Sequence, residues 1–147
     1  MEEIKDTKQA TVRITYDGRV HKRYHGPCAK ERFENEVRVL RYLAKQGCKF
    51  VPQLLEVEEE TRSIVTTSCG RVVDRVSEEK LRSLFMELEQ YGVRHEDAFQ
   101  RNVTYSQRLG RFCLIDFEFA TILATGEGLT VQEVEAQRKG DYERKRD

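Results

Sequence analysis

The stretch from His95 to Glu118 constrains this chain more than any other. It opens with His95-Glu96-Asp97-Ala98-Phe99-Gln100-Arg101-Asn102 and ends with Ile115-Asp116-Phe117-Glu118. Between them lie two short runs of strand-forming residues, Val103–Tyr105 and Arg111–Ile115, joined by a turn through Gly110. A β-hairpin returns the chain to the end from which it started, so Asn102 and Asp116 come back side by side. Asp97 stands just upstream of that end. Three oxygen-bearing side chains then converge on one mouth. Such a set can hold a hard cation such as Mg²⁺ and leave one carboxylate free to orient a hydroxyl.

Upstream, Thr11–Tyr16 alternates apolar and polar residues, Asp17-Gly18 supplies a two-residue hairpin turn, and Arg19–Tyr24 is the return strand. Side chains alternate along a strand, so Lys22 shares the apolar face of Val20 and Tyr24. A lysine there is either a stem that snorkels from a strand end or an inward charge. His25-Gly26-Pro27 breaks the strand. A helix is expected from Ala29 to Gln46, stopped by Gly47. Its apolar stripe is Phe33, Val37, Leu40, Leu43 and Ala44. At 100° per residue Glu36 falls inside that stripe and Glu34 outside it. A charge aimed at the core requires a partner.

Two further strands, Leu54–Val57 and Ser63–Thr67, flank the charged turn Glu58–Arg62. Ser77 is an N-cap, followed by Glu78 and Glu79 in the first turn of a helix that Gly92 ends. Its apolar face is Leu81, Leu84, Phe85 and Leu88. From Ala124 onward the chain is polar, and Glu133–Asp147 reads as a solvated helix or a frayed tail.

Composition narrows the function classes. The 147 residues carry 26 Lys+Arg and 26 Asp+Glu. The length suits one domain, and the balanced charge argues against a nucleic-acid or anionic-membrane surface. No apolar run is long enough to span a bilayer, and Met1–Asp6 does not resemble a secretory signal. Cys28, Cys48, Cys69 and Cys113 lack metal or redox spacing, which fits free thiols in a reducing cytoplasm. His21, His25 and His95 are too scattered for a metal site.

With these residues in place, the chain resembles the protein-kinase-like superfamily over about Thr11–Leu123. His95–Asn102 matches the HxDxxxxN catalytic loop, and Leu114–Glu118 looks like the metal-binding DFG segment. The DFE variant is similar to that of choline-kinase-like and aminoglycoside-phosphotransferase-like enzymes. Val20-His21-Lys22 stands where the family has Ala-x-Lys. Glu36 stands where the family keeps the glutamate that pairs with that lysine, so an inward Lys22 and an inward Glu36 explain each other as an ion pair. Ser68-Cys69-Gly70 occupies the hinge.

The resemblance implies an α+β, shortened bilobal fold. An antiparallel N-lobe sheet with one helix (about 11–69) is joined to a reduced helical C-lobe (about 70–123), with a polar, charged tail over 124–147. It implies an ATP-dependent phosphotransferase that moves the γ-phosphate of Mg-ATP to a hydroxyl of a protein or small-molecule acceptor. Lys22, Glu36 and Asp97 are its catalytic set. Val20, Lys22, Ser68, Cys69 and Gly70 would contact ATP, and Asn102 and Asp116 would hold Mg²⁺. His95 would brace the loop. The alternative is a pseudokinase that serves as a nucleotide-binding or protein-interaction scaffold.

Departures from the family pattern sharpen the expectations. No glycine precedes Thr11, so the phosphate-covering lid is expected to be missing or reduced. Glu96 replaces the arginine common in protein kinases. No lysine follows two positions after Asp97. The short stretch after Asp116 leaves little room for an activation segment and docking helices, which points to a small acceptor or to a protein partner that completes the C-lobe.

Overall fold

A computed structural model describes residues 3–6 and 10–146. The first sheet has five antiparallel strands in the order β1-β2-β3-β5-β4. Its strands are β1 (Glu3–Asp6), β2 (Ala10–Ile14), β3 (Arg19–Tyr24), β4 (Leu54–Glu58) and β5 (Ser63–Thr67), and α1 (Ala29–Lys45) intervenes between β3 and β4. Alternation works as expected on β3. Val20 and Lys22 are half-buried and Tyr24 is buried, while Arg19 and Arg23 face solvent.

The hairpin between β2 and β3 turns on three residues rather than two. The Thr15 N–H donates to the Arg19 carbonyl at 3.0 Å, the Gly18 N–H to the Thr15 carbonyl at 3.1 Å, and Gly18 has φ 75°. Asp17 is not left-handed, so the Asp-Gly pair forms a type I turn closed by a glycine bulge. β1 extends the sheet before the expected start at Thr11. Its one apolar residue, Ile4, sits among charges, which is the signature of an edge strand rather than of an alternating one. A hairpin therefore does precede the lysine strand. Its connection, Thr7–Gln9, lies outside the described residues.

α1 ends as its sequence predicts. The Cys48 N–H reaches the Leu43 carbonyl at 3.0 Å and the Gly47 N–H the Ala44 carbonyl at 3.1 Å, a Schellman closure with Gly47 at φ 77°. After β5 come the short β6 (Arg71–Val72) and α2 (Glu78–Gln90), whose Ser77 hydroxyl accepts the Lys80 N–H. β7 (Val93–His95) leads into a loop and a 3-10 turn at Gln100–Asn102, then into the hairpin of β8 (Val103–Ser106) and β9 (Arg111–Leu114). β10 (Ala120–Ile122) follows. A second sheet runs β6-β8-β9, and β7 pairs with β10 in register His95↔Ala120. That pairing, between strands too short to read from sequence, places the end of β7 beside the segment that follows Asp116.

One continuous core joins Phe33, Val37, Leu40 and Leu43 of α1 to Leu84 and Leu88 of α2, and to Val93, Leu114 and Phe117. The polar stretch after Leu123 is not simply a tail. Leu129 and Val134 are buried with Phe119 in a second small cluster, and the Leu129 N–H donates to the Ala120 carbonyl at 3.2 Å. Two isolated apolar residues thus hold down α3 (Val131–Arg146), whose start at Val131 falls near the expected helical region. Among the described residues, no helix is long and apolar enough to cross a membrane.

Candidate active site

Lys22 reaches across the fold from β3. Its Nζ lies 2.8 Å from Glu36 Oε1, 3.1 Å from Asp116 Oδ1 and 2.8 Å from Glu118 Oε2. Helix geometry turned Glu36 inward from α1, and there it uses both carboxylate oxygens. Oε1 also accepts the Tyr24 hydroxyl, while Oε2 accepts the Phe117 backbone N–H at 2.7 Å. The expected lysine–glutamate pairing therefore forms, and the same glutamate pins the backbone next to Asp116.

Glu118 is the member that motif reading did not single out. It is 2% exposed and bonds the guanidinium of Arg32, itself fully buried, at 3.2 Å. Arg32 also donates from Nε to the Pro27 carbonyl at 2.8 Å and from Nη2 to the His25 carbonyl. Asn35 donates to the carbonyls of Glu118 at 2.9 Å and Ala120 at 3.0 Å. The signal was present in the sequence. Glu118 is a charge in an apolar run between Phe117 and Phe119, and Arg32 stands one helical turn before Glu36 on the same face of α1.

Two cations, Lys22 and Arg32, thus face three carboxylates whose oxygens lie within 4.8 Å of one another. Burial alone would push the Lys22 ammonium down, but the charges of Asp116, Glu36 and Glu118 hold it well above the usual lysine value. Burial likewise works against ionisation of Asp116, yet the Lys22 charge and its hydrogen bond keep the carboxyl below the usual aspartate value. For Glu118 burial wins. Lys22 opposes it, but Asp116 and Glu36 add repulsion, and the carboxyl is raised. Of these two, Asp116 is the more readily ionised, and 37% of its side chain remains open to solvent. It also adopts φ 64°, a left-handed conformation that aspartate tolerates better than most residues.

The second half of the site is built locally. Asp97 is buried, and its Oδ1 accepts Arg101 Nη2 at 2.6 Å. Asn102 Nδ2 donates to the Asp97 carbonyl at 2.8 Å and to Asp97 Oδ2 at 3.1 Å, which fixes its amide and leaves the amide oxygen as the free ligand atom. The Ile115 N–H donates to the Asn102 carbonyl at 3.0 Å, so the hairpin does bring Asn102 back against the residue that precedes Asp116. His95 locks the two segments together. Its Nδ1 accepts the Asp97 N–H at 3.1 Å and its Nε2 meets the Ile115 carbonyl at 3.0 Å. A ring that accepts at Nδ1 and donates at Nε2 is neutral, and burial holds its pKa below the usual histidine value. Phe117 and Phe85 flank the ring at 5.0 and 5.3 Å between centroids.

The residues expected against adenine divide. Val20 lies on β3 two positions before Lys22, on the same face. Ser68-Cys69-Gly70 follows β5 directly, but its backbone is already engaged. The Ser68 N–H donates to the Gly18 carbonyl at 3.0 Å, and the Gly70 N–H to Ser68 Oγ at 3.2 Å. The Cys69 carbonyl accepts Thr104 Oγ1 at 2.6 Å. Asp116 and the Asn102 amide oxygen are oxygen donors of the kind a hard cation such as Mg²⁺ takes. Held there, the ion would neutralise charge on phosphate oxygens.

No protein-family model matches this sequence, and no curated protein matches it either. Among solved structures the fold is similar to that of WbdD, determined as a co-crystal with the kinase inhibitor LY294002. The TM-score is 0.58 at 23% identity, over 81% of this chain and 32% of that one. The chain therefore spans about a third of WbdD. The likeness is one of fold alone.

Proposed function

We propose that this chain is an ATP-dependent phosphotransferase that moves the γ-phosphate of Mg-ATP to a hydroxyl of a protein or small-molecule acceptor. The observation that carries this reading is the contact of Lys22 with both Glu36 and Asp116, next to a loop that presents Asp97. In this reading Lys22, held by Glu36, contacts the α- and β-phosphates. Val20 and the Ser68–Gly70 backbone line the adenine side, and Asn102 and Asp116 hold Mg²⁺. Asp97 orients the acceptor hydroxyl and takes its proton as the oxygen attacks phosphorus. Phosphoryl transfer depends chiefly on positioning and charge neutralisation, so this set suffices in principle. The acceptor is small or is presented by a partner.

A second reading, a pseudokinase scaffold, draws on the hinge. Internal hydrogen bonds already engage the Ser68 and Gly70 amides and the Cys69 carbonyl, groups that adenine would otherwise meet. Calorimetry with Mg-ATP, paired with a transfer assay, decides between them. Asp116→Asn removes a ligand charge and is expected to weaken Mg-nucleotide binding about tenfold or more. Asp97→Asn is expected to leave binding nearly intact and to lower turnover about 100-fold or more. Mg-ATP binding with turnover as absent in wild type as in Asp97→Asn would favour the scaffold reading. Absence of Mg-ATP binding would refute the phosphotransferase.

A further inference from the structure

Lys22 has more partners than its proposed task leaves room for. An ammonium carries three N–H groups, and Nζ meets three carboxylate oxygens, from Glu36 at 2.8 Å, Asp116 at 3.1 Å and Glu118 at 2.8 Å. In the phosphotransferase reading, on which this role rests, a phosphate oxygen has to take the place of one carboxylate at Nζ. We propose that Asp116 is the one that yields, and that Glu118, braced by Arg32, is a positioning residue that with Glu36 holds Lys22 for the phosphates.

The three carboxylates are not equivalent. Asp116 makes the longest of the three contacts and keeps 37% of its side chain open, against 4% for Glu36 and 3% for Glu118. A carboxylate that faces solvent loses little when it gives up an ion pair, because water replaces the partner. A buried one is left uncompensated.

Glu118 is also held in place from several directions. Its Oε1 pairs with Arg32 Nη1 at 3.2 Å while its Oε2 faces Lys22. Arg32 is fixed in turn by the Pro27 carbonyl at Nε, 2.8 Å away, and by the His25 carbonyl at Nη2. Asn35 donates to the Glu118 carbonyl at 2.9 Å, and the Glu96 N–H donates to the next carbonyl, that of Phe119, at 2.8 Å. The last of these bonds comes from the end of β7 and does not involve α1. Glu36 thus reaches Lys22 from α1, and Glu118 reaches it from the segment between β9 and β10. Two separate elements hold one ammonium.

ATP without metal reads the exchange. Asp116→Asn and Glu118→Gln each remove one negative charge beside the same ammonium, so charge alone would tighten metal-free ATP in both. A yielding partner and a holding partner differ in sign. Calorimetry of ATP in EDTA compares the full chain with D116N, E118Q and R32K. D116N is expected to bind at least threefold tighter, because a neutral amide is displaced from Nζ more easily than a carboxylate. E118Q is expected to bind at least tenfold weaker, although its amide oxygen can still accept Arg32. R32K keeps a buried cation without the guanidinium fork and is expected to bind at least threefold weaker. It decides the matter if E118Q melts below the assay temperature. Wild-type or tighter binding in the folded E118Q, or in R32K where E118Q does not fold, overturns the role of Glu118. Weaker binding in D116N overturns the exchange. So does a wild type that binds Mg-ATP but not metal-free ATP, with D116N no better. Mg-ATP binding to wild type beside any of these results leaves the phosphotransferase reading standing and removes this role alone. Absence of ATP binding to wild type with and without Mg²⁺ refutes both.

Discussion

The two halves of the candidate site are stabilised in opposite ways. Lys22 gathers its partners from α1 and from the segment after β9, positions far apart in the chain. Asp97 is satisfied by Arg101 and Asn102, its near neighbours in sequence. The first centre exists only when the whole fold is assembled, and it concentrates like charge around one ammonium. The second is a local loop that the hairpin and His95 dock in place. Disturbing the first should therefore unsettle the protein, whereas disturbing the second should touch the chemistry and spare the fold.

The largest test of that contrast is Lys22→Met. It leaves Glu36, Asp116 and Glu118 clustered with only Arg32 to oppose them, and breaking a buried ion pair typically costs about 3–5 kcal/mol. Urea unfolding at pH 7 measures the loss. The deficit should shrink at pH 4, where the carboxyls take up protons. A cost below about 1 kcal/mol would show that solvent screens the cluster and that the contrast fails.

His95→Gln comes next, because His95 is the link between the halves. Its folded pKa is depressed, so the unfolded chain binds the proton first. Native stability should be whole above about pH 6.5, the unperturbed histidine value, and fall as pH drops from there toward the lower folded value. The limiting slope is about 1.4 kcal/mol per pH unit. Gln should lower stability by about 1–2 kcal/mol at pH 8 through the altered hydrogen bonds. It should also flatten the curve between pH 5 and 6.5. An unchanged slope would assign the acid sensitivity to other groups.

The smallest effect belongs to Arg101→Ala. Its side chain is 64% exposed, and a surface pair of this kind is worth about 0.5 kcal/mol or less. Thermal melts should barely move. A drop of 2 kcal/mol or more would mean that the Asp97 loop depends on its arginine for folding, and the local half would no longer be local.

Much of this arrangement can be read in the residues. Alternation along Arg19–Tyr24 turned Lys22 inward, and the angle around α1 selected Glu36 over Glu34. The hairpin between Asn102 and Asp116 predicted their return to one end. These readings succeed because each rests on a short period or a tight turn. Glu118 and Arg32 escaped because their pairing depends on how the segment after β9 crosses α1, a tertiary fact without a local period. β1 escaped because an edge strand that carries charge looks like a terminus. The Asp17-Gly18 signal identified the right place but the wrong turn, since the left-handed residue is Gly18 alone.

The hydrogen bond from the Phe117 backbone to Glu36 gives α1 a second master. An outward swing of the helix would take Glu36 from Lys22 and Phe117 at once, and with it the Arg32 and Asn35 contacts to Glu118 and Ala120. The helix and the segment after β9 are thus coupled through one carboxylate. A force on α1 is thereby passed through the Glu36 carboxylate to the backbone beside Asp116.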